Sequence, residues 1–260
     1  MLNNEIMDQF LIMFGLIAIF AFYMFFSIKP KNNTDSAQID KSKVYTTWNF
    51  FNWIRLDNER YLFHHPAKPE KDKKYPILIF LHGYNKHEDA EKNPENFGWV
   101  RCLIQKVNAQ PASFESFVYI PITPGWGPEP KRIKYIINKI LEDNENADPS
   151  RIYIVGLSMG GFAACEFLKA YPAIPAALVL ICGASSLSPE KAHELKNKPI
   201  RLYHGDNDKT VPIDVSRNFY QALRDAGNTK AEFINLTGYG HLIWNFNQNS
   251  DMLEWLFKQS

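Results

Sequence analysis

Ile152-Tyr153-Ile154-Val155-Gly156-Leu157-Ser158-Met159-Gly160-Gly161 is the stretch on which the fold turns. Its first four residues are β-branched or aromatic and read as a buried strand. A Gly-x-Ser-x-Gly turn follows. Then comes Phe162-Ala163-Ala164-Cys165-Glu166-Phe167-Leu168, an apolar run suited to a helix. Strand, tight turn and helix are the context in which a serine is held out as a nucleophile. Such a turn leaves no room for side chains two residues before and two after the serine, and Gly156 and Gly160 fill those places. Ser158 Oγ would then lie at a strand's carboxyl edge and a helix N-terminus, where the helix dipole favours negative charge.

A nucleophilic serine needs a base, and the base needs an orienting acid. Both follow in the chain. Pro199-Ile200-Arg201-Leu202-Tyr203-His204-Gly205 reads as a strand, and Asp206-Asn207-Asp208-Lys209-Thr210-Val211-Pro212 supplies two candidate acids directly after it. Ala231-Glu232-Phe233-Ile234-Asn235-Leu236 reads as a last strand, followed by Thr237-Gly238-Tyr239-Gly240-His241. A histidine in a glycine-rich loop after the final strand can reach the serine, which makes His241 the candidate base.

Taken in order, Leu81-His82-Gly83, Gly156-Leu157-Ser158-Met159-Gly160-Gly161, His204-Gly205-Asp206-Asn207-Asp208-Lys209-Thr210-Val211-Pro212 and Gly240-His241 resemble an α/β-hydrolase. More narrowly they resemble a serine esterase branch of feruloyl-esterase-like, polyhydroxyalkanoate-depolymerase-like and "predicted peptidase" hydrolases. The resemblance covers about residues 59 to 258. It implies Asp208, the fifth residue of His-Gly-x-x-Asp-x-x-Val-Pro, as the acid in preference to Asp206. It implies an oxyanion hole from two backbone N–H groups, that of Met159 after the nucleophile and that of Tyr84 in the loop after strand 77–81. Gly83 is expected to let that loop bend close to substrate, and His82 to pack behind it. Where the "predicted peptidase" subgroup has His-Asp-x-Trp, this chain has His241-Leu242-Ile243-Trp244, keeping the Trp and replacing the Asp.

With 260 residues and a net charge of +1, the chain is long enough for one α/β domain and carries no charge excess that calls for nucleic acid. Cys102, Cys165 and Cys182 lie in apolar contexts and read as buried thiols, without metal-ligand spacing. His64 and His65 are adjacent strand residues pointing to opposite faces, so they do not share a ligand.

The N-terminus carries a second signal. Residues 10–28 are uncharged and nearly all apolar, about as long as the roughly 20 residues that span a bilayer core. The start, Met1-Leu2-Asn3-Asn4-Glu5-Ile6-Met7-Asp8, lacks Lys and Arg, and no Ala-x-Ala pattern follows the segment. These features favour an uncleaved anchor over a signal peptide. Lys29, Lys31, Lys41 and Lys43 flank the carboxyl side, so the positive-inside rule puts the domain on the cytoplasmic side, whereas the exported relatives implied by the resemblance point the other way. The organisation expected is a flank at 1–9, a transmembrane anchor at 10–28, a polar tether at 29–43 and a catalytic domain at 44–260.

Within the domain, antiparallel strands from 46–56 and 59–65 open the sheet. Strands at 77–81, 117–120, 152–155, 177–182, 200–204 and 231–236 alternate with helices at 96–107, 129–142, 159–170, 212–226 and 250–258. The alternation predicts a mostly parallel, doubly wound α/β sheet. Only residues 183–198 stand where a cap would insert, enough for a short helix at 189–195 and no large lid. Trp126, in the proline-stiffened loop 121–128, and Trp244 are candidate substrate contacts. The function expected is a serine hydrolase of carboxylic esters acting through an acyl-enzyme, with no cofactor required. A serine peptidase or acyl-peptide hydrolase would use the same machinery, and a non-catalytic binding protein of this fold would not need the three residues together. Oligomeric state is not readable from the sequence.

Overall fold

Tyr75-Pro76-Ile77-Leu78-Ile79-Phe80-Leu81 has no charged side chain, and every residue of it is buried. A strand can be apolar on both faces only if both are covered, which is the situation of a parallel sheet between helices. The structure, a computed structural model, describes residues 45–48, 51–56, 59–66, 69–84, 103, 115–122, 127–243 and 251–259, all within the unit Gln38–Ser260. The strands are β1 (Tyr45–Trp48), β2 (Phe51–Leu56), β3 (Glu59–His64), β4 (Tyr75–Leu81), β5 (Phe117–Ile122), β6 (Ala147–Leu157), β7 (Ala177–Ile181), β8 (Ile200–Gly205) and β9 (Ala231–Leu236). They form one nine-stranded sheet in the order β1-β2-β3-β5-β4-β6-β7-β8-β9. β1 to β3 pair antiparallel with one another, and β3 pairs antiparallel with β5. From β5 onward every pairing is parallel.

Alternate residues of the central strands feed two cores. Ile77, Ile79, Ile154, Leu178, Leu180 and Leu202 face helices α1 (Pro130–Asp143), α2 (Met159–Ala170) and α4 (Asp214–Asp225). Leu78, Phe80, Tyr153, Val155, Val179 and Ile181 face the C-terminal helix α5 (Met252–Phe257). Ile133, Ile136, Ile137 and Ile140 of α1 recur at helical spacing and are buried. The loop between β7 and β8 carries only the short α3 (Pro189–Glu194), capped by Ser188, whose Oγ accepts from the Lys191 N–H. No cap domain is inserted there.

The expected elements recur with small shifts in their ends. β6 begins at Ala147, earlier than the apolar run suggests, because it continues past Asp148-Pro149-Ser150, where the Asp148 carboxylate accepts from the Ser150 N–H and from Arg151. The expected helix at 96–107, apart from Leu103, lies outside the described residues, as do the apolar segment 10–28 and the tether 29–43. Among the described residues no helix is long and apolar enough to cross a membrane.

The sheet turns back on itself at β4. The chain goes first to β5 on one side and then to β6 on the other, so a crevice opens at the carboxyl ends of β4 and β6. Two buried histidines lie near that edge, His82 just after β4 and His204 within β8. Burial pushes both imidazoles below their ordinary value of 6.5, opposed by hydrogen bonds to the Gly83 carbonyl and the Val211 carbonyl respectively. The native state therefore keeps them neutral, while the unfolded chain takes up protons as pH falls below about 6.5. Stability should be flat above that pH and decline below it, because the unfolded state then binds more protons. Urea midpoints at pH 7.5 and 5.5 should show the lower value at pH 5.5, and a higher midpoint at pH 5.5 would contradict the assignment.

Candidate active site

The turn after β6 is closed by backbone against backbone. A Cβ on Gly156 would meet the Gly160 carbonyl oxygen at 2.3 Å, and one on Gly160 would meet the Leu81 carbonyl oxygen at 2.0 Å. Both positions exclude any side chain. Ser158 between them has φ 51°, a left-handed conformation that a non-glycine residue adopts only where its surroundings enforce it. The enforcement is visible. The Ser158 N–H donates to Ile181 O at 2.7 Å, and the Ser158 carbonyl accepts from the Gly161 N–H at 2.8 Å. A Cβ on Gly183 would meet that same carbonyl at 2.2 Å. The ends of β4, β6 and β7 thus press on one turn, and the serine side chain is left half-buried at its tip.

Asp208 and His241 arrive from two neighbouring loops. Gly205 ends β8 with no room for a Cβ, which would meet the Tyr239 carbonyl oxygen at 2.2 Å. The loops are tied by the Asn207 N–H to Tyr239 O at 2.9 Å and the Gly238 N–H to Asp206 Oδ1 at 2.7 Å. Asp206 is therefore a loop clamp, and Asp208 is the aspartate turned inward. Its Oδ2 is 2.7 Å from His241 Nδ1, and His241 Nε2 is 2.9 Å from Ser158 Oγ. The three expected residues form one continuous hydrogen-bonded chain. His241 is the most exposed partner in the carboxylate–imidazole pair, with 17% of its side chain accessible, while the Asp208 side chain is fully buried.

Burial alone would raise the Asp208 carboxyl. The Val211 N–H, the His241 ring and the Thr210 N–H outweigh it and hold the group below the ordinary carboxylate value, so it stays charged. The two amides reach Oδ1 at 2.9 Å and 2.8 Å. Behind the acid lie two residues to which the sequence reading assigned no role at the site, His204 and Cys182. Their ligand atoms and those of Asp208 fall within 4.8 Å of one another. The donor chemistry does not suit a metal. Burial first of all pushes the Cys182 thiol up to about 12, and both His204 nitrogens are engaged, Nδ1 with Ser216 Oγ at 2.7 Å and Nε2 with Val211 O at 2.9 Å. The cluster reads as a hydrogen-bonded support. The described cysteines, Cys165 and Cys182, are free and buried, as expected of reduced thiols.

Met159 and Tyr84, the expected oxyanion donors, follow β6 and β4. Met159 opens α2, so its N–H has no acceptor one turn earlier in the helix. Gly83 stands against Ser158: a Cβ there would be 3.6 Å from Ser158 Cβ and 3.6 Å from the nearest carbon of Leu157. That is ordinary contact, without a left-handed φ. Tyr84 follows and is 61% exposed. His82 packs behind the loop, with Nδ1 2.6 Å from the Gly83 carbonyl. Trp126 and Trp244 lie outside the described residues.

The assembled geometry can be set beside known proteins. Residues 130–256 match the family described as Phospholipase/Carboxylesterase. Carboxylesterase SOBER1 of Arabidopsis thaliana is 30% identical over 119 residues, covering 44% of this chain and 51% of that protein. Probable carboxylesterase SOBER1-like of the same plant is 31% identical over 119 residues, 44% of each chain. The chain therefore spans about half the length of the curated relatives it matches. Among solved structures, a thermostable esterase superposes with a TM-score of 0.67 at 26% identity, covering 82% of this chain and 64% of that one. A ferulic acid esterase superposes with a TM-score of 0.59 at 19% identity, over 77% of this chain and 92% of that one, a likeness of fold. By its sheet, its elbow and these matches, the chain has the α/β-hydrolase fold and is similar, over its C-terminal half, to carboxylesterases.

Proposed function

We propose that this chain hydrolyses carboxylic esters with Ser158 as nucleophile, His241 as general base and acid, and Asp208 as the group that orients His241. The observation that carries the reading is the unbroken relay from a buried, charged carboxylate through His241 to Ser158 Oγ, at 2.7 Å and 2.9 Å. Ser158 Oγ attacks the acyl carbon while His241 Nε2 takes its proton. The oxygen of the tetrahedral intermediate takes the negative charge beside the N–H groups of Met159 and Tyr84, each worth a few kcal/mol to the transition state. The intermediate collapses, the C–O bond to the alcohol breaks, and His241 returns the proton to the leaving oxygen. Water, deprotonated by His241, then attacks the acyl-enzyme and releases the acid and Ser158. A small-molecule or oligomeric ester is the substrate class, and Trp126 and Trp244 are assigned to its walls.

We place this catalytic domain, residues 44–260, behind a single membrane anchor at 10–28 and a tether at 29–43. The support is the uncharged apolar length and the lysines that follow it. The lysine flank favours the cytoplasmic side.

A panel of p-nitrophenyl esters tests the chemistry. Ser158→Ala should lower turnover by several powers of ten, and Asp208→Asn by about 10⁴-fold, as loss of the acid leaves the imidazole in the wrong tautomer. Asp206→Asn should cost far less, since its oxygen can still accept from Gly238. Retained activity in Ser158→Ala, or a larger loss at Asp206 than at Asp208, would overturn the roles.

Deleting residues 1–42 tests the anchor. The full chain should pellet with membranes and resist alkaline carbonate, and the shortened chain should be soluble and active. Protease added outside intact cells should spare the domain. Digestion would reverse the orientation, and a full-length chain found free of membranes would refute the anchor.

A further inference from the structure

Asp208 is held from behind by a second histidine. His204 is wholly buried in β8, between α4 and the acid loop. Its Nδ1 is 2.7 Å from Ser216 Oγ, and its Nε2 is 2.9 Å from Val211 O and 3.2 Å from Asp208 Oδ2. A carbonyl only accepts, so Nε2 carries the ring proton and the Ser216 hydroxyl donates to Nδ1. Burial, which disfavours the charged ring, keeps it in this neutral form.

This tautomer acts on both oxygens of the acid. The Val211 carbonyl is taken by His204, while the N–H of Val211 donates to Asp208 Oδ1 at 2.9 Å. The ring therefore anchors the residue that anchors Oδ1. The same Nε2 lies 3.2 Å from Oδ2, the oxygen that accepts from His241, so the positive end of the ring's N–H dipole is close to that oxygen. We propose that His204, its tautomer set by Ser216, is a positioning residue for the reaction: it fixes the plane of the Asp208 carboxylate and draws charge from Oδ2 that would otherwise fall on His241. The proposal rests on the triad reading above.

Among the described residues, the titratable groups facing the carboxylate are His204 from β8, His241 from the loop after β9, and Cys182 from the end of β7, whose thiol stays protonated. Asp208 is thus the lone buried anion in a ring of donors. Removing the His204 donor leaves Oδ2 more basic and the carboxylate free to turn. The imidazolium gains from the first change, so the acid limb of the kcat/KM profile moves to higher pH. The second change misaligns His241 and lowers kcat.

The test uses the full chain and p-nitrophenyl acetate across pH 5 to 9. His204→Phe should lower kcat roughly 10- to 100-fold, since misplacement of about an ångström costs that much, with KM nearly unchanged and the acid limb displaced upward. His204→Gln, which returns an N–H donor near the place of Nε2, should bring the limb back and recover most of kcat. Ser216→Ala, a small change that removes only the tautomer lock, should fall between. A purely structural His204 would lower the yield of active enzyme without moving the limb. Wild-type kcat and an unmoved limb in His204→Phe would overturn the proposal. If that variant does not fold, an unmoved limb and wild-type kcat in Ser216→Ala overturn it instead. A wild-type chain inert toward p-nitrophenyl esters overturns the hydrolase reading itself, which separates the two failures.

Discussion

The contact between Gly160 and the end of β4 is the constraint on which the rest of the site depends. Where a Cβ would sit, the Leu81 carbonyl oxygen is only 2.0 Å away, so α2 and β4 approach as closely as backbones allow. That approach forces Ser158 into φ 51° at the tip of the turn and lifts its side chain off the sheet. The cost of a left-handed serine, of order 1–3 kcal/mol, is offset by the two buried cores on either face of the sheet, and by hydrogen bonds from β7 and α2 to the serine's own peptide groups. Rigidity matters to the chemistry, because a nucleophile must meet its base and its oxyanion donors within fractions of an ångström.

Electrostatics complete what packing begins. A carboxylate with no accessible surface is costly unless it is hydrogen-bonded and paired. Asp208 meets that requirement with two amides on one oxygen and His241 on the other. The same arrangement that keeps the charge buried aims it at a single ring nitrogen, and the other nitrogen of that ring faces Ser158. The burial of the charge and the proposed relay draw on the same contacts. The loops that deliver Asp208 and His241 are cross-tied through Asp206 and Gly238, so neither residue moves independently of the other.

Much of this was legible in the chain. The buried strands of the parallel sheet announced themselves as short apolar runs, and the glycines flanking Ser158 marked a turn that only backbone could fill. Other features were not legible, for physical reasons. Asp206 and Asp208 stand in a turn, where no strand or helix period says which side chain faces inward, and only the resemblance separated them. The polar start of β6 hid a strand behind Asp148 and Ser150. The role of His204 depends on Ser216 in α4 and on a carbonyl at Val211, and no local pattern in the sequence links these groups.

The central claim is that one serine, Ser158, is activated by its two partners. Treatment of the folded wild-type protein with a fluorophosphonate, followed by intact-mass measurement and peptide mapping, reads this directly, because the reagent labels only a serine made nucleophilic by its surroundings. The account predicts one adduct per chain, on the peptide that contains Ser158. An adduct on another residue, or none on a protein that is folded, would contradict it.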